Sequence, residues 1–171
     1  LGAVEIQQKR PMVGPAGRTL RKVLQSLDIE SYGITNIWKC RPPGNKLPED
    51  AEPGEFCKQL LREELTTHGQ KLTVPLGGTA VSTLMGFEVG ILSIMRRLFT
   101  VSPYGASMPI IPMTHPSYVN RNGTGWRDWE LGFTKIQSFL KGEVEYIPPT
   151  KRGILKLTNS SEVVDALLEL R

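Results

Sequence analysis

The sequence predicts an α/β protein on an open parallel sheet, and two observations carry that prediction. Short runs of strand character alternate with amphipathic helical runs over most of the 171 residues. Three residues of unusual chemistry, Asn36, Gly77 and His115, each stand at or just beyond the end of a predicted strand. In sheets of this kind ligands occupy the crevice at the carboxyl ends of the strands. These three residues are therefore expected to gather at one rim.

Each element has its own warrant. RPMVGPAG, Arg10 to Gly17, is a loop punctuated by glycine and proline, and Leu20, Val23, Leu24 and Leu27 follow it at helical spacing. A glycine-rich loop entering a helix presents backbone N–H groups that suit a phosphate. Gly33 to Trp38 reads as a short strand with Ile34 and Ile37 apolar, closed by a loop that Pro42 and Pro43 keep out of helix and central strand. Glu55 to Leu65 reads as a second helix with Phe56, Leu60 and Leu61 inward, and Lys71 to Leu76 as a strand. Gly77-Gly78-Thr79 turns into a helix through Ala80, Val81 and Leu84 that stops at Gly86. Met108 to Met113 is a strand candidate despite Pro109 and Pro112, and it runs into the loop THPSY, Thr114 to Tyr118. Trp126, Trp129, Phe133, Ile136 and Leu140 mark one face of a long helix ending near Gly142. Leu1 to Lys9 is polar and shows no period.

The length allows one sizeable core, placed in residues 1–142. Residues 143–152, with Pro148-Pro149, read as a linker. Residues 153–171 restart with the strand-like ILKL and a helix bearing Val163, Val164, Leu167 and Leu168. A lone strand and helix bury no core, so this tail docks on the main domain or opens a following one.

Hydrophobic content of 39% and charged content of 22% are those of an ordinary globular chain. The net charge is only +4, but eight basic residues from Lys9 to Lys46 face Asp28 and Glu30 alone, a local excess that points to a polyanionic partner. No apolar run reaches membrane-span length and no signal-peptide pattern opens the chain, so an intracellular location is expected. In that compartment Cys40 and Cys57 are not expected to form a structural disulfide.

RPMVGPAGRTL, ITNIWKCRPPGNKLP with Cys57 seventeen positions after Cys40, VPLGGTA, SIMRR and THPSY stand in an order that resembles the motif series of the family 4 uracil-DNA glycosylases. The resemblance runs from about Gly2 to Leu140, and KCRPPGN with HPSY is its most specific part. It implies a three-layer α/β/α sandwich with a central parallel sheet, and excision of uracil from DNA without a redox step. It also implies a structural [4Fe–4S] cluster. Of the four ligands, Cys40 and Cys57 match two, and the family carries the other pair in a C-x-x-C segment upstream of Leu1. The family motif that bears the water-activating carboxylate ends at Leu1-Gly2, with Leu1 where proline belongs, so the general base is expected upstream as well. Glu5 is not in its register.

The resemblance assigns roles residue by residue. Asn36 of the TN motif reads uracil through one donor and one acceptor, which complement O4 and N3–H. His115 donates to uracil O2 as negative charge builds there. Met12 takes the place of a phenylalanine stacked on the base, which predicts weaker uracil discrimination because methionine is flexible. Gly14, Pro15, Gly77, Ser117 and Arg97 are expected at the DNA backbone, and Tyr118 at the hole left by the flipped base. The partner is thus uracil-containing DNA, bound by a monomer or by one domain of a larger DNA-processing polypeptide. Similar domains are found fused ahead of phage-type DNA polymerases. The other reading is a non-catalytic DNA-binding or uracil-sensing module on the same scaffold.

Overall fold

A computed structural model describes residues 3–42, 44, 53–105, 107–123 and 125–144. The expected linker and tail lie outside them, apart from Glu143 and Val144. In chain order the described elements are α1 (Ala3–Gln8), α2 (Pro15–Ser26), α3 (Glu55–Thr67), α4 (Gly78–Met85), α5 (Ile91–Ile94), β1 (Phe99–Val101), β2 (Met108–Ile110), α6 (Pro116–Asn122) and α7 (Trp126–Leu140). The protein is therefore mixed α/β, as expected. No helix among the described residues is long and apolar enough to cross a membrane.

The strands pair antiparallel, Phe99 opposite Ile110 and Val101 opposite Met108. Beside β2 runs a parallel partner that hydrogen bonds define better than strand assignment does. Thr73 N donates to Pro109 O (3.0 Å), Ile111 N to Thr73 O (3.2 Å), Met113 N to Pro75 O (3.0 Å) and Gly77 N to Met113 O (2.8 Å). Only Thr73↔Ile110 and Leu76↔Met113 register as parallel bridges. Pro75 and Pro109 have no N–H to donate, so the ladder lacks a bond at each of them.

Alternation along this central segment separates two apolar clusters. Ile111 and Met113 pack with Leu20, Val23 and Leu24 of α2, Val119 of α6, and Trp129, Phe133 and Ile136 of α7. Met108 and Ile110 pack with Leu84 of α4, with Leu65 and Met85 against them. Helices thus cover both faces of β2.

Several expectations need correction. Gly33 to Trp38 forms neither strand nor helix, and the chain bends at Ile37. Its apolar residues Ile34 and Ile37 are three apart, and a strand would send them to opposite faces. Phe56 is 65% exposed, not inward. The buried stripe of α3 is Cys57 and Leu61, which helical spacing places beside it. Trp126 is 40% exposed at the start of α7, whereas Trp129 is fully buried. Leu1 to Lys9 contains α1, and the residues after His115 form α6 rather than a loop.

Candidate functional site

The rim is built where residues 76–77 and 113–115 leave the parallel ladder side by side. Gly77 stands at φ 93°, in the left-handed region, and a Cβ there would lie 3.2 Å from His115 Cβ. Only glycine satisfies both conditions. Gly77 then opens α4 as its N-cap.

His115 opens α6. The residue before a proline favours extended backbone, and proline favours the first helical position, so His-Pro is a helix start by itself. His115 has φ −66° and ψ 140°, with Pro116 in the first turn. Its Nδ1 accepts from the Ser117 backbone N–H at 3.2 Å and lies 2.7 Å from Ser117 Oγ. A nitrogen that accepts an amide N–H carries no proton, so in the neutral ring the proton is on Nε2. Burial and the nearby charge of Arg121 hold the His115 pKa below the ordinary imidazole value. At neutral pH, His115 is an uncharged Nε2–H donor.

The base of this turn is fixed from the core. Trp129 Nε1 donates to both the carbonyl and the hydroxyl of buried Thr114, each at 3.0 Å. Val119 anchors α6 in the core, and Thr19 Oγ1 of α2 donates to Asn120 Oδ1 at 2.9 Å. Trp129, read as core, also holds the residue preceding His115.

The Arg10 to Gly17 loop is equally constrained. Met12 has φ 56°, and a Cβ on Gly17 would lie 1.5 Å from Met12 O. Arg21 Nη1 donates to the same carbonyl. Met12 is half-buried against the main core. Gly14 is the N-cap of α2 and Pro15 its first residue. The Gly14 N–H donates to Glu5 Oε1 at 2.9 Å, and this bond foremost holds the Glu5 carboxyl below the usual range. A carboxylate of the chain itself thus occupies a group expected to serve a phosphate.

Asn36 is half-buried between Thr35 and Lys39, in a stretch without regular structure. Thr35 Oγ1 donates to Glu64 Oε2 at 2.7 Å, and Lys39 Nζ reaches both Thr35 Oγ1 (2.6 Å) and Glu64 Oε2. Burial pushes the Glu64 carboxyl up, but the hydrogen bonds from Lys39 and Thr35 and the lysine charge outweigh it and leave the carboxyl below the usual range. The Lys39 backbone N–H donates to Cys57 Sγ at 3.5 Å. Cys40 is exposed and Cys57 buried, both free thiols. This bond brings the start of α3 against the residue before Cys40, and an N–H directed at sulfur suits a thiolate ligand. The two cysteines fit half of a four-ligand set. Among the described residues no group of three or more His, Cys, Asp and Glu is placed to hold a metal ion.

Arg97 is exposed, and its neighbour Arg96 is the organised cation. Arg96 has φ 66°, its N–H donates to Pro112 O at 2.9 Å, and its Nη1 lies 3.1 Å from Asp128 Oδ1. Arg96, Asp128, Thr114 and Tyr118 line a cavity of about 340 Å³ beside the His115 turn. Tyr118 stands against Gly125, where a Cβ would lie 3.3 Å from its ring. Sequence reading takes Arg96 only as one of a basic pair with Arg97, and it does not single out Glu64. For Glu64 the available signal was its seven-residue spacing from Cys57 on one helix face.

A profile of the Uracil DNA glycosylase superfamily matches residues 2–138. A protein of Thermotoga maritima described as a type-4 uracil-DNA glycosylase is 34% identical over 151 residues, covering 83% of this chain and 74% of its own. One of Archaeoglobus fulgidus with the same description is 30% identical over 141 residues, covering 79% and 70% respectively. A third, of Saccharolobus solfataricus, is 28% identical over 149 residues.

Proposed function

We infer the function from one premise: the chain belongs to the uracil DNA glycosylase superfamily. We propose that it hydrolyses the N-glycosidic bond of uracil in DNA, the reaction named in the descriptions of its relatives. The observation that carries this reading is the His115 turn, where Nδ1 accepts the Ser117 backbone N–H and burial with the charge of Arg121 holds the imidazole pKa below its ordinary value.

When the C1′–N1 bond breaks, electrons pass to the base and negative charge builds on uracil O2. A pre-positioned donor at that oxygen stabilises the departing anion more than the bound base, which is what accelerates the step. The Nε2–H of His115 supplies it without becoming a cation first. Water adds its oxygen to C1′ and its proton neutralises the leaving uracil.

Asn36 pairs with O4 and N3–H, and Met12 covers one face of the ring from a backbone that Gly17 and Arg21 fix. Ser117 orients His115, since its N–H is directed at Nδ1 and its hydroxyl lies within hydrogen-bonding distance of the same atom. Gly77 and the α2 start at Gly14-Pro15 approach the DNA backbone, Arg97 pairs with phosphate, and Tyr118 stands at the vacated stack. Cys40 and Cys57 would supply two thiolates to a [4Fe–4S] cluster, whose contribution would be structural. The central ladder extends to the parallel sheet of a three-layer α/β/α sandwich.

The test uses the full natural polypeptide and an oligonucleotide with a single uracil, with a thymine control. Alkali-labile abasic sites in the uracil strand alone are the expected result. Retained binding of uracil DNA without base release would assign a uracil-sensing module instead.

A further inference from the structure

We propose that Glu64 is a positioning residue for the base-reading loop, an inference that rests on the reading of Asn36 above. Asn36 lies in a stretch that is neither strand nor helix, just before a bend at Ile37. Ile34 packs against the core on one side of it. On the other side, the Lys39 N–H meets Cys57 Sγ at 3.5 Å.

What closes the loop between these points is a single carboxylate oxygen. Glu64 Oε2 accepts from Thr35 Oγ1 at 2.7 Å and from Lys39 Nζ, and Lys39 Nζ also donates to Thr35 Oγ1 at 2.6 Å. The two residues that bracket Asn36 are therefore gathered onto one atom. The Lys39 side chain is only 14% exposed, so this knot is shielded from competing water on the lysine side. Cys57, Leu61 and Glu64 recur at four and three residues along α3, which puts thiol, core contact and carboxylate on one face. The same helix face thus carries a proposed cluster ligand and the loop's tether.

A loop whose competent conformation is only partly populated binds its ligand more weakly by that fraction. Loss of the tether lowers the fraction presenting Asn36 and leaves the His115 wall untouched. Glutamine retains the acceptor oxygen and keeps most of the effect.

The experiment uses the full natural protein as wild type, Glu64→Ala, Glu64→Gln, Asn36→Ala and the Asn36→Ala/Glu64→Ala double variant. Uracil release is measured, together with amide hydrogen exchange of residues 34–40 and of α7. Glu64→Ala is expected to lower kcat/KM about tenfold, and Glu64→Gln no more than about threefold. In the Asn36→Ala background, Glu64→Ala is expected to cost less than about twofold more, because both changes act on one contact. Exchange over 34–40 accelerates in Glu64→Ala while α7 stays protected. Additive losses in the double variant overturn the route through Asn36, and unchanged exchange over 34–40 overturns the tether. A wild type that releases no uracil removes the glycosylase reading, and the exchange result still decides whether Glu64 holds the loop.

Discussion

The two segments proposed as walls of one site, the His115 turn and the Asn36 stretch, are built by different physics. The His115 wall is a consequence of the backbone: a parallel ladder delivers Gly77 and His115 side by side, proline starts α6, and Trp129 locks Thr114 from inside the core. The Asn36 wall is a stretch without regular structure held to α3 by polar side chains, with Glu64 at their centre. A wall made from strand ends and helix caps is rigid because moving it would break core packing. A wall made from side-chain tethers is positioned just as specifically but can be released by one substitution. On the proposed reading, the donor belongs to the first wall and the residue that selects the base to the second.

The largest effect expected from breaking the first wall is removal of its donor. His115→Ala should lower uracil excision by about two to three orders of magnitude, the scale for one oxyanion-type donor. Binding to uracil DNA should change little, as gel shift at fixed salt would show. Gly77→Ala attacks the same wall through the backbone. Its φ of 93° and the 3.2 Å approach to His115 Cβ leave no place for a methyl group. Chemical denaturation should reveal a loss of about 1–3 kcal/mol, the usual cost of such backbone strain, with activity reduced because His115 is displaced. The second wall should respond less, at the tenfold scale given for Glu64→Ala.

Smaller effects sharpen the comparison. Met12→Phe should improve discrimination of uracil from thymine a few-fold, since a flat ring covers the base more selectively than a flexible thioether. A variant no more selective than wild type contradicts the placement of Met12 on the ring. The pH profile tests the charge state of His115. Burial and Arg121 depress its pKa, so activity should be flat through neutrality and fall only below the ordinary imidazole value, where the ring protonates. Arg121→Gln removes a like charge, which raises the pKa and should move that acid limb to higher pH.

Legibility in the sequence followed the same division. The helices α2, α4 and α7 were readable because apolar spacing and glycine stops set them locally. The HPS run was visible, yet α6 was not read from it, although proline after a capping residue is a helix-start signal. The strand expected over Gly33 to Trp38 failed because strand character needs a partner, and Ile34 and Ile37 do not share a face. Three-residue β1 and six-residue α1 are too short to show a period. The Glu64 knot joins residues 25 and 29 positions apart. Charged and hydroxyl side chains announce no such pairing along the chain, so only the folded arrangement discloses it. The same holds for Arg96, whose left-handed backbone and contact with Asp128 depend on the ladder beneath it.

The most direct measurement is the ¹⁵N spectrum of the histidine side chains at neutral pH. The chain has only two histidines, so His68→Gln assigns the remaining signal to His115. The account predicts a neutral ring with the proton on Nε2 and a bare Nδ1. A charged imidazolium at neutral pH, or a neutral ring protonated on Nδ1, would contradict it.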